Sequence, residues 1–160
     1  MIGIEGNYVD DPSDPGGATK YGISQRAYPT LNIQSLTLDD ARNLYKTDYW
    51  SKAQCDKLPP ALALCLFDSV VNAGPGTASI LIKALQLGLG VVQDGVIGPQ
   101  TQAAIAKMDP ATAVSYAQGA RILYQTGLGN WSTYKNGWAR RLAQIPFQAG
   151  QLAAQGGTTA

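Results

Sequence analysis

The sequence predicts a mainly α domain with a small β-hairpin near its N-terminus. Three observations carry that prediction. Turn formers crowd roughly the first thirty residues, helix start and stop signals recur from Thr37 onwards, and hydrophobic residues make up 45% of 160 positions, enough for one packed core.

The elements follow in order. Asp10-Asp11-Pro12-Ser13-Asp14-Pro15-Gly16-Gly17 is dense in turn formers, and Tyr21-Gly22-Ile23-Ser24 reads as a short strand after it. Thr37 with Asp40 resembles an N-cap and its acidic partner, opening a helix that runs to about Trp50. Pro59-Pro60 opens a second helix, Ala61 to Asn72, and Gly74 closes it. Leu62, Leu64, Leu66, Phe67, Val70 and Val71 make its faces apolar nearly all round, which predicts the central buried helix. A third covers Gly76 to Leu87, with Ile80, Leu81, Ala84 and Leu85 on one face and Gly88 after it. Pro99 starts a short helix through Lys107, and Asp109-Pro110 caps another that reaches about Leu128. A final helix covers roughly Tyr134 to Ala149, and the small polar residues of 153–160 read as a flexible tail.

Composition excludes much chemistry. The chain has no histidine and one glutamate, Glu5. Ser-His-Asp and Cys-His nucleophile systems and His-rich zinc sites are therefore ruled out, and acid–base work falls to carboxylates, tyrosines, lysines or cysteines. A net charge of +1 and a pI near 7.7 argue against a whole-molecule electrostatic nucleic-acid binder. Cys55 and Cys65 are too few for a disulfide framework; two free thiols are favoured over a bridge, with Cys65 acting as a small buried hydrophobe. The N-terminus lacks the basic and apolar regions of a secretory signal. The run Ala61 to Val71 is too short to span a bilayer and is broken by Asp68, so no stable membrane insertion is expected.

Glu5, Asp14 and Thr19 are the candidate catalytic residues. A glycosidase needs a carboxylic acid to protonate the leaving oxygen and a second group to stabilise the cation-like sugar or activate water. On residue types alone, a glutamate near the terminus and an aspartate capping a turn are the plainer reading.

The run from Glu5-Gly6-Asn7-Tyr8 through Asp14-Pro15-Gly16-Gly17-Ala18-Thr19 to Gly22-Ile23-Ser24 resembles the signature of glycoside hydrolase family 108, the phage and prophage N-acetylmuramidases. It is similar also to the Glu–Asp–Thr triad of phage lysozymes. Asp14 keeps the eight-residue gap from Glu5, whereas Thr19 follows Asp14 after four residues instead of five, and Asn7 replaces a motif glycine. Tyr45 to Trp50 and Phe67-Asp68-Ser69-Val70-Val71-Asn72 resemble further family segments. Asp94-Gly95-Val96-Ile97-Gly98-Pro99-Gln100-Thr101 resembles a turn of peptidoglycan-binding modules, and Asn136-Gly137-Trp138-Ala139-Arg140-Arg141 resembles the family's C-terminal motif.

The resemblance implies a lysozyme-like α+β fold over residues 1–152, with a catalytic half, 1–90, and a helical half, 91–152. It implies hydrolysis of the β-1,4 bond between N-acetylmuramic acid and N-acetylglucosamine, with Glu5 as general acid, Asp14 orienting water or stabilising charge, and Thr19 helping to hold that water. Peptidoglycan glycan strands are the implied partner, with no metal and no cofactor. Tyr8, Tyr21, Trp50 and Asn72 are the candidate substrate-binding residues, Asn72 standing equally well as a helix terminator. Asp68 is expected as a buried structural carboxylate, paired to a backbone N–H or to Arg140 or Arg141, and Trp138 as core. A phage lysin, acting at the wall after release through a holin-type pore or delivered within a larger virion protein, is the implied setting. The few residues before Glu5 and the linker-like tail favour a domain cut from a longer chain. The rival activities are a lytic transglycosylase and a non-catalytic peptidoglycan-binding module.

Overall fold

Tyr21 and Gly22 both take positive φ, 52° and 76°. They form the two-residue turn whose twist matches the right-handed twist of the flanking strands. In the computed structural model, which describes residues 8–11, 16–129 and 131–156, that turn joins β1 (Thr19–Lys20) to β2 (Ile23–Ser24). The strands pair antiparallel, Thr19 opposite Ser24 and Lys20 opposite Ile23. The predicted strand Tyr21–Ser24 is thus half turn and half strand, because a glycine at its second position lets the chain reverse there. Glycine is required at 22 on two grounds: its φ, and a Cβ that would lie 2.6 Å from Tyr45 Oη.

The chain divides into two compact units, Met1–Thr47 and Asp48–Ala160. In the first, Ile23, Ile33, Leu36 and Ala41 are buried together, with Tyr21, Tyr28, Leu31 and Tyr45 packed around them. Helix α1 (Leu38–Leu44) starts as predicted: Thr37 and Asp40 exchange the reciprocal bonds of a capping box. It does not continue as an α-helix to Trp50; Tyr45–Trp50 is π-helical, and the first unit ends within that stretch.

The second unit is built on α2 (Pro60–Ala73), which buries Leu62, Cys65, Leu66, Asp68, Ser69 and Val70 and ends at Gly74. It packs against α3 (Ala78–Leu89), α5 (Pro110–Thr126) and α6 (Trp131–Gly156), while α4 (Pro99–Ala106) rests on α3. Truncating a fully buried leucine such as Leu62 would cost about 2–5 kcal/mol. Pro60, Pro99 and Pro110 each sit in a first turn, where the missing N–H has no helical partner to lose.

Three expectations need correction here. Helix α3 passes through Gly88 and ends at Gly90, whose φ is 67°. Gly88 serves packing instead, since a Cβ there would lie 2.6 Å from the Tyr116 ring. Helix α6 starts at Trp131 and runs to Gly156, so residues 153–156 are helical and not tail; 157–160 lie outside the described residues. Trp138 is only half-buried, in contact with Trp131 and Tyr134, and is not core. Both cysteines are free and buried. Among the described residues no helix is long and apolar enough to cross a membrane.

Candidate active site

The structure describes one of the three candidate catalytic residues. Glu5 and Asp14 lie outside the described residues; Thr19 is on β1. Thr19 has a neighbouring segment on each side of its strand, and both of its backbone groups bond to Val9. It pairs with Ser24 across the hairpin, and it exchanges two bonds with Val9, Val9 N–H to the Thr19 carbonyl at 2.9 Å and Thr19 N–H to the Val9 carbonyl at 2.7 Å. The chain four residues beyond Glu5 is thereby held antiparallel to the strand that carries Thr19, and the stretch between Val9 and Thr19 carries Asp14. The Thr19 hydroxyl donates to the Gly17 carbonyl at 3.1 Å. Its lone pairs are the part left to meet a ligand or water, as acceptors.

Two candidate substrate-binding aromatics share this unit. Tyr8 is 39% exposed and donates to Asp10 Oδ2 at 3.3 Å. Desolvation first, then the Asp10 charge and hydrogen bond, hold its phenol above the ordinary value, so it stays a donor. Tyr21 sits in the hairpin turn with its ring half-buried against the core, the Lys20 ammonium 5.4 Å from the ring centroid. A left-handed tyrosine carries strain of about 1–3 kcal/mol, compensated here by burial and by the bond from Tyr45 Oη to its carbonyl at 3.2 Å. Tyr21 is therefore as much a pillar of the turn as a ligand surface.

The other two candidates belong to the second unit. Trp50 donates from Nε1 to Asp56 Oδ1 at 2.7 Å and meets Phe67 edge-on at 5.4 Å. Asn72, in the last turn of α2, accepts through Oδ1 from Gln125 Nε2 at 2.9 Å. One turn before it lies Asp68, wholly buried and structural: Arg121 Nη1 reaches Oδ2 at 2.7 Å, and Arg141 donates from Nε and Nη2 at 2.6–3.0 Å. Arg141 was among the predicted partners. Arg121 was missed, since it reads as an ordinary helix residue until α5 is laid beside α2. Burial pulls its guanidinium down and Asp68 pulls it back up.

The turn Asp94–Thr101 is consumed by internal bonding. Gln86, fully buried, donates to Asp94 Oδ1, the Val96 carbonyl and Thr101 Oγ1, and accepts from Gly95 N–H. Gln54 bridges the Gly95 carbonyl and Ile97 N–H from the other side. Neither glutamine carried a sequence signal, because both act over separations of eight residues to more than forty. A cavity of about 720 Å³ between α5 and α6, lined by Val114, Gln118, Ile122, Leu142 and Pro146, is apolar. Its rim carboxylate, Asp109, is occupied in capping α5 through Thr112, so acid–base chemistry does not belong there. Among the described residues no three Cys, Asp or Glu side chains gather as a metal site requires.

Comparison with known proteins agrees with the hairpin and its flanking segments. The family described as glycosyl hydrolase 108 matches residues 1–74. Among solved structures, SagA of Brucella abortus superimposes with a TM-score of 0.79 at 35% identity, over 93% of this chain and 88% of its own. No curated protein matches.

Proposed function

We propose that this chain, which belongs to the glycosyl hydrolase 108 family, cleaves the β-1,4 bond between N-acetylmuramic acid and N-acetylglucosamine with Glu5 as general acid. Its family makes it a glycoside hydrolase of peptidoglycan, and the proposal concerns which residues do the work. The observation that supports it is the Val9–Thr19 pairing. It anchors the segment following Glu5 to the strand of Thr19, with Asp14 in the chain between them.

In this reading Glu5 protonates the glycosidic oxygen as the bond to C1 breaks. Asp14 takes a proton from water, or faces the developing positive charge. Thr19 orients that water by accepting from it, its own proton being committed to the Gly17 carbonyl. Action at the cell wall as a phage-type lysin, released through a pore or carried by a virion, is the setting we infer from the resemblance to phage muramidases.

Glu5→Gln tests the assignment. The variant should fold with an unchanged circular dichroism spectrum and release soluble fragments from purified sacculi about 10²–10⁴-fold more slowly. Release at the wild-type rate would remove Glu5 from the mechanism. Mass spectrometry of the products separates the chemistries: reducing muramic ends are expected, and anhydromuramic ends would mean that the muramic 6-hydroxyl attacks instead of water.

A further inference from the structure

Gln118 is a buried amide that the fold leaves almost unused. It is 7% exposed, and neither Oε1 nor Nε2 finds a hydrogen-bond partner among the described residues beyond the Cys65 thiol it lies against, which is a weak one. A buried amide left unmet is costly, so it asks for a partner. The side chain lines the apolar cavity of about 720 Å³ between α5 and α6, and that is where a partner has room.

The two helices are separated only by residues 127–130 and pack as an antiparallel hairpin, with Arg121 and Arg141 meeting at Asp68. About one turn from that level, back along α5 and onward along α6, Gln118 comes opposite Pro146. Pro146 has no N–H for the Leu142 carbonyl, so an acceptor without its usual helical donor shares the cavity wall with the amide. Along α5 the lining runs from Pro110 to Ile122, about 18 Å at 1.5 Å per residue. That is a groove for an extended chain, with a volume inside the range of roughly 300–1,000 Å³ found for small-molecule sites. Among the described residues no lysine or arginine lines it and Asp109 stands at its rim, so a carboxylate ligand would have no counter-charge. Gly119 and Gly150 face the groove from its two helices, and a Cβ at either would meet nothing within 4 Å. A glycine inside a helix is unfavourable, and no neighbour requires these two as Tyr116 requires Gly88.

We propose that the α5–α6 groove binds an uncharged amphiphile, an aliphatic chain ending in an amide, with the amide held by Gln118. The ligand carbonyl accepts from Gln118 Nε2, and its N–H donates to Gln118 Oε1 or to the Leu142 carbonyl. The chain runs from there over Val114 towards Pro110. Both walls belong to the second unit, and occupation of the groove does not depend on Glu5 being the acid.

Octanamide is the probe, titrated into the full chain and followed by NMR through the Gln118 side-chain amide and the backbone amides of α5 and α6. These resonances should shift and saturate. Octanamide should bind about fifteenfold more tightly than hexanamide, at about fourfold per buried CH₂. Octanoate, which brings an unpaired charge, should bind more weakly than octanamide. Gln118→Leu should weaken octanamide about tenfold, the worth of two neutral hydrogen bonds, without lowering the thermal midpoint, because leucine leaves no polar group unmet. Gly119→Leu puts a side chain into the groove and should abolish the shifts; if that variant unfolds, Gly150→Leu closes the groove from the other helix. Unmoved Gln118 resonances in the wild type overturn the proposal. So does equal affinity for the two chain lengths, or undiminished binding in the leucine variants.

Discussion

Asp68 shows how little the type of a buried charge says about its work. A carboxylate in the middle of an apolar helix invites a catalytic role, yet two arginines from two other helices occupy it, one of them 1% exposed. Arg121 Nε and Nη2 find no partner among the described residues, so its charge depends on Asp68. Removing one member of such a buried group costs more than the group contributes, because the charge left behind has no water. Asp68→Asn should therefore lower stability by about 3–5 kcal/mol in urea unfolding. A loss within 1 kcal/mol of zero would show that Arg121 is compensated elsewhere. The pairing with Arg141 was legible in the sequence because both residues fall in recognisable motifs. Arg121 was not, since a long-range partner leaves no periodic trace.

At the scale of elements, what the sequence revealed were the helix starts. Thr37, Asp109 and the three prolines act within one turn of their own positions, so their effect is local and readable. Helix ends were less so: Gly88 and Gly90 are both plausible terminators, and only the Tyr116 ring lying over Gly88 decides between them. The hairpin turn was obscured because tyrosine rarely accepts a positive φ. Of the candidate site, the motif around Thr19 was legible, while Trp138, expected in the core, is only half-buried where it meets Trp131 and Tyr134. The Asp94–Thr101 turn was likewise recognisable as a turn, but its support was hidden in Gln86. Replacing Gln86 with leucine keeps the volume and deprives Gly95 N–H and Thr101 of their partner, at about 1–3 kcal/mol for each polar group left buried. Thermal unfolding of Gln86→Leu should show a lowered midpoint. Hydrogen exchange should show loss of protection at Gly95, and intact protection there would mean that Gln54 alone holds the turn.

For the whole molecule, the missing histidine sets the form of the stability curve. With no imidazole to titrate, no side chain of ordinary pKa changes charge between the carboxylates and the thiols, so a plateau is expected from about pH 5 to 8. At the acid end, Asp40 in the first unit and Asp94 and Asp109 in the second are held below the ordinary carboxylate value, mainly by hydrogen bonds from Thr37, Gln86 and Thr112. A lowered folded pKa stabilises above the unfolded value, and that stability is lost as pH falls through the folded one, so both units should weaken below about pH 4. At the alkaline end the buried Cys65 thiol contributes. Burial, opposed by the Gln118 side chain and the Arg121 charge, pushes Cys65 from 9.0 up to about 11. The unfolded thiol ionises first, so this stabilisation is complete below pH 9 and drains away as pH rises towards 11. Two pKa units correspond to about 2–3 kcal/mol in all, with about 1–2 kcal/mol gone by pH 10. Cys65→Ala removes the ionisation while leaving every lysine and tyrosine to titrate as before. The difference in urea-unfolding free energy between the wild type and this variant should be constant from pH 6 to 8 and then shrink by that amount by pH 10. Parallel curves across the whole range would mean that the thiolate forms inside the folded protein as readily as outside it.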